Sequence, residues 1–106
     1  MKAITSNKEF NALVESGKPF VIDFYADWCG PCQALLPTVE KLAEEYDDDV
    51  EIVKVNIDQQ RPLAEKFGVR SIPALFFLQG NQLKDSLKGL TSEHNLRKHI
   101  DKLIAA

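Results

Sequence analysis

The chain's only two cysteines stand three positions apart, as Cys29-Gly30-Pro31-Cys32. Closing so small a ring adds only about 2 kcal/mol of stability before strain is subtracted, so stapling is a weak reason for the pair. In a reducing compartment it points instead to redox chemistry or metal binding. The cysteines fall between the apolar run Phe20–Tyr25 and a helical pattern. They therefore enter a helix at its first turn, where unpaired N–H groups and the positive dipole end favour thiolate over thiol. Cys29 comes first, at the exposed helix entrance, and is the expected nucleophile. Cys32 lies one turn inside, shielded from outside substrates but placed to attack a mixed disulfide on Cys29. A free thiol of pKa about 8.5 is roughly 3% ionised at pH 7, whereas one tuned to about 7, as in C-x-x-C oxidoreductases, is half ionised and keeps most of its nucleophilicity. Pro31 fixes one backbone angle and lacks an N–H, which should restrict how the two sulfurs face each other.

Asp23 is the second chemical signal. A carboxylate inside an otherwise apolar strand needs a partner or a raised pKa, with desolvation the leading cause of any shift. Six residues separate it in number from Cys29, and the intervening Phe24-Tyr25-Ala26-Asp27-Trp28 would carry the chain from strand to helix over that carboxyl. Asp23 is thus expected to exchange protons with Cys32, directly or through water, with Lys54 beside it if the two strands neighbour each other. The competing reading is zinc, with His94 and His99 completing a site begun by the cysteines. Compact zinc modules of that pattern separate the pairs by about a dozen residues, and here 61 lie between Cys32 and His94. Both histidines are accordingly read as surface helix residues, and no metal is expected. Phe24, Phe76 and Phe77 read as core, and Asp47-Asp48-Asp49 as a solvated loop.

Periodicity supplies the elements that must position these groups. Ala3–Thr5 suits a short strand. Ser6 with Glu9 makes a capping box ahead of the stripe Phe10, Leu13 and Val14, and Gly17 and Pro19 close that helix. Phe20–Tyr25 is apolar on both alternating faces except at Asp23, as in a strand covered on both sides. A helix beginning near Cys29–Cys32 runs through Leu35, Val39, Leu42 and Tyr46, with a kink predicted at Pro37. Glu51–Asn56 alternates as a strand, and Pro62–Phe67 reads as a short helix ended by Gly68. Ala74–Leu78 and Leu83–Lys88 flank Gly80-Asn81 as a hairpin, and a last helix starts near Ser92 with Leu96, Ile100, Leu103 and Ile104 on one face. Two βα units, a hairpin and a terminal helix predict an α/β domain with helices on both faces of a mixed sheet.

The whole chain, 1–106, reads as one domain without repeats or linkers. A chain of this size buries roughly two thirds of its unfolded surface, enough for a core without staples. With 13 Lys+Arg against 16 Asp+Glu, the net charge of -3 offers no basic footprint for nucleic acid or an anionic membrane. The longest apolar run, Ala74–Leu78, is far too short to span a bilayer. The N-terminus has no signal-peptide pattern, so a cytoplasmic location is expected.

Trp28-Cys29-Gly30-Pro31-Cys32, with Asn56-Ile57-Asp58, Gly68-Val69-Arg70-Ser71-Ile72-Pro73 and Gly89 at intervals after it, resembles the thioredoxin family over nearly the whole chain. The resemblance implies the thioredoxin fold, a five-stranded mixed sheet of order 1-3-2-4-5 flanked by four helices, with a cis peptide before Pro73 packed against the cysteines. It implies a protein disulfide reductase in which Cys29 attacks, Cys32 resolves, and Asp23 is the buried proton acceptor with Lys54 as its partner. Trp28, Gly30, Pro31, Ile72, Pro73 and Gly89 would form the flat surface that receives disulfide-containing target proteins, with the backbone at Ile72 pairing to an extended segment. No bound cofactor is implied. Reducing equivalents would come from NADPH through a thioredoxin-reductase-type flavoenzyme, and the protein would act as a monomer. Four positions depart from the usual pattern: Gln33 where Lys or Arg is common, Tyr25 for Trp, Ala74 for Thr, and Gly80-Asn81 for Asn-Gly. A disulfide oxidase or isomerase on the same fold, or a non-catalytic binding module, are the alternative readings.

Overall fold

The computed structural model describes residues 1–106. In chain order the elements are β1 (Lys2–Ala3), α1 (Asn7–Ser16), β2 (Pro19–Tyr25), α2 (Gly30–Glu45), β3 (Glu51–Asn56), α3 (Arg61–Lys66), β4 (Ala74–Gln79), β5 (Gln82–Lys88) and α4 (Glu93–Ala105). They form one five-stranded sheet of order β1-β3-β2-β4-β5. β3 runs parallel to both β1 and β2, while β4 is antiparallel to β2 and to β5. The sheet is therefore mixed, with β2 near its centre, as the resemblance implies.

Alternation along the strands builds two cores. One face carries Phe20, Ile22, Phe24, Val53, Val55 and Phe76 against Phe10 of α1 and Leu63 of α3. The other carries Val21, Ile52, Leu75 and Phe77 against Leu35, Val39 and Leu42 of α2 and Leu96, Ile100 and Leu103 of α4. The helices on the second face thus come from the segment that begins at the cysteines and from the chain's last element. No helix is long and apolar enough to cross a membrane.

Local chemistry moves some boundaries from those expected. The first strand is Lys2–Ala3, earlier and shorter than Ala3–Thr5. Ile4 still donates its N–H to the Lys54 carbonyl, but both the N–H and the hydroxyl of Thr5 are taken by Glu9, at 2.8 and 2.7 Å. Ser6 caps α1 by accepting from the Glu9 N–H at 3.2 Å, so the box closes on Thr5 where a standard one closes on the cap residue itself. Gly17, at φ 74°, ends α1 alone. Pro19 opens β2, a first-strand position that needs no N–H. α2 continues through Pro37 to Glu45.

Candidate active site

Cys29 is the N-cap of α2, in extended conformation at φ -89° and ψ 106°. Its Sγ accepts the Cys32 N–H at 3.2 Å, so one of the helix's unpaired amides is aimed at this sulfur. The two cysteines are joined in a disulfide. Both are buried, Cys29 at 5% and Cys32 at 2% exposure, so Cys29 is more covered than an exposed helix entrance suggests. Ala26 shares their cluster, Tyr25, Ile57 and Ile72 pack against it, and the Ile72 carbonyl oxygen lies 3.8 Å from Cys29 Sγ.

The Ile72–Pro73 peptide is cis, and Pro73 is buried beside the cysteine cluster. Gly89 donates its N–H to the Pro73 carbonyl at 2.8 Å, with φ +82°, a left-handed conformation that a side chain would strain. Neither the N–H nor the carbonyl of Ile72 takes part in a backbone hydrogen bond. On the other flank Trp28 is 70% exposed, and its indole N–H donates to Asp58 Oδ2 at 2.8 Å. Asp58 is held in turn, because Asn56 Oδ1 accepts from the N–H groups of Asp58 and Gln59 at 2.9 and 3.2 Å. Gly30 and Pro31 are exposed between these flanks.

Asp23 is 1% exposed and sits opposite Lys54 on β3 and Leu75 on β4. It lies on the sheet face covered by α2, since it shares the alternation of Val21. Burial pushes its carboxyl up to about 7, against an opposing pull from the Lys54 charge. Its Oδ1 has no hydrogen-bond partner. Lys54 is in register but makes no ion pair with it. The ammonium stands 5.6 Å from the centre of the Tyr25 ring, so Lys54 partners Asp23 through space and not by contact.

The thioredoxin family model matches residues 1–102. The chain belongs to the thioredoxin family. It is 37% identical over 100 residues to thioredoxin 1 of Synechococcus elongatus, covering 94% of each chain. It is 35% identical over 101 residues to the thioredoxin of Rickettsia prowazekii, covering 95% of this chain and 96% of that one. Among solved structures it resembles the thioredoxin of Malassezia sympodialis with a TM-score of 0.90 and 32% identity, over 97% of this chain and 92% of the other. A mutant thioredoxin from Halobacterium salinarum gives a TM-score of 0.89 at 33% identity, over 97% and 89% of the two chains. A thioredoxin with a C-x-x-C disulfide is a thiol–disulfide oxidoreductase, and the family reduces disulfides in other proteins.

His94 is exposed on α4, as expected, but His99 is only partly exposed, with Nδ1 2.5 Å from Asp85 Oδ2 and its ring 5.7 Å from that of Phe77. No group of three or more His, Cys, Asp or Glu side chains is assembled to hold a metal ion. Gln33, where thioredoxins commonly carry a cation, directs its amide Nε2 to the Ala26 carbonyl at 3.5 Å. The residues that sequence reasoning left without a role are Asp58 and Asn56, which hold Trp28. They stand in the Asn56-Ile57-Asp58 segment, but nothing in spacing ties a carboxylate to an indole thirty positions earlier.

Proposed function

We propose that this thioredoxin is a general protein disulfide reductase that works through the Cys29–Cys32 couple. The Cys29 thiolate attacks a target disulfide, forming a mixed disulfide and releasing one target thiolate. Cys32 then gives its proton to Asp23, directly or through water, and attacks Cys29 Sγ. The second target thiolate leaves, and the Cys29–Cys32 disulfide is restored. Two electrons pass from the dithiol to the target, and an NADPH-fed thioredoxin-reductase-type flavoenzyme returns them. The observation that carries this reading is the Cys32 N–H directed at Cys29 Sγ at the head of α2, a contact that favours the thiolate of the attacking sulfur.

Trp28, Gly30, Pro31, Ile72, Pro73 and Gly89 form the receiving surface in this reading. The unpaired main chain of Ile72 supports it, because an extended segment of a target can take up those groups without its side chains being read. Breadth of target follows. Lys54 modulates Asp23 through its charge. The protein acts as a monomer in the cytoplasm, as one domain over residues 1–106. An insulin-type disulfide reduction assay tests the assignment: activity disappears in Cys29→Ser, and Cys32→Ser accumulates a mixed disulfide that denaturing gels without reductant reveal. Full turnover in Cys29→Ser would sink it.

A further inference from the structure

We propose that Tyr25 is a positioning residue for the Asp23 carboxyl, its ring face holding the Lys54 ammonium beside that carboxyl but off it. The inference rests on the reading in which Asp23 takes the Cys32 proton. Three placements carry it. Tyr25 follows Asp23 by two residues on β2, so both side chains fall on the face covered by α2. The Tyr25 ring packs against the cluster of Ala26, Cys29 and Cys32. The same ring lies 5.6 Å from Lys54 Nζ, within cation–π reach. One side chain thus packs against the cluster that holds the redox pair and lies within cation–π reach of the cation that Asp23 feels.

Register makes Lys54 the direct neighbour of Asp23, yet Lys54 forms no ion pair with any carboxylate. A contact ion pair would lower the proton affinity of Asp23 by one to three units and make it a poor base near neutral pH. An ammonium released to solvent would leave burial unopposed, and the carboxyl would hold its proton too firmly. The ring fixes the charge between these extremes. Lys54 supplies the charge that opposes burial at Asp23. Leu75 faces it from β4, the helices α2 and α4 bring the apolar Leu35, Leu96, Ile100 and Leu103 to the same face, and Cys32 of α2 is tied in the disulfide.

The test follows the Asp23 Cγ resonance by carbon-13 NMR between pH 4 and 10 in the oxidised protein, where the cysteines do not titrate. Tyr25→Phe keeps the ring face and leaves the midpoint in place. Tyr25→Leu and Tyr25→Met remove the face, and the midpoint rises by about half a pH unit as the ammonium drifts to solvent. Lys54→Met raises it at least as far, and adding Tyr25→Leu to Lys54→Met moves it no further. A midpoint that stays or falls in both Leu and Met variants, one that moves in Tyr25→Phe, or a Tyr25→Leu shift that persists in the Lys54→Met background overturns the proposal. Failure of the underlying reading appears separately, as an unchanged rate of the Cys32 step in Asp23→Asn.

Discussion

Asp23 concentrates the conflict between fold and chemistry in a single side chain. It occupies a strand position whose neighbours Ile22 and Phe24 are fully buried, and its Oδ1 goes without a partner. Its carboxyl, raised to about 7 by burial against the pull of Lys54, keeps its proton in the folded state through a range where the unfolded chain has lost it. Between about pH 4 and pH 7 the native state therefore binds more protons, and stability falls as pH rises. Roughly three pH units of difference correspond to a loss on the order of 4 kcal/mol, complete above pH 7. Urea unfolding of the oxidised protein from pH 4 to pH 9 should show this decline, and Asp23→Asn should flatten it and be the more stable protein at pH 8. A parallel decline in the variant would place the pH dependence elsewhere. The burial of Asp23 was legible in the alternation around it, as was the neighbouring Lys54. The manner of their coupling was not, because it depends on where a four-carbon chain comes to rest, and here that is over Tyr25.

At the level of elements, capping and turn chemistry set the boundaries that hydrophobic periodicity leaves loose. Ser6 fixes the start of α1 and Cys29 that of α2 by the same device, a side-chain atom accepting an amide three residues on. In α1 the device serves stability alone. Ser6→Ala should cost about 1 kcal/mol, read as a lower urea midpoint at unchanged slope, with turnover in the reductase assay unaffected. In α2 the capping atom is the reactive sulfur, so folding and reactivity share one contact. Glu51–Asn56 appeared where its alternation placed it, because Ile52 faces one core and Val53 and Val55 the other. β1 did not, since Thr5 answers to Glu9 in the following helix and not to the sheet. Pro19 likewise belongs to β2, a choice that its lack of an N–H permits but does not dictate.

Across the whole molecule, the sheet order brings together pieces that lie far apart in the chain: the cysteines in the first turn of α2, the Asn56–Asp58 turn after β3, the cis Ile72–Pro73 peptide before β4, and Gly89 after β5. All four segments adjoin the same end of the strands. Periodicity alone yielded the layers but not this convergence; the strand order came from the resemblance to thioredoxins, since short strands carry no label of their neighbours. The free main chain of Ile72 and the Asp58 support under Trp28 are consequences of that convergence and have no signature in spacing. The face so assembled suits a reductant that meets many targets, and the near-neutral charge balance avoids selecting among them by sign. The reduction potential of the Cys29–Cys32 couple, equilibrated in a glutathione or dithiol buffer, decides whether this face serves a reductant. A value near that of thioredoxins in general, about −270 mV, is the result predicted here; one well above −200 mV would contradict it and mark the protein as a disulfide oxidant.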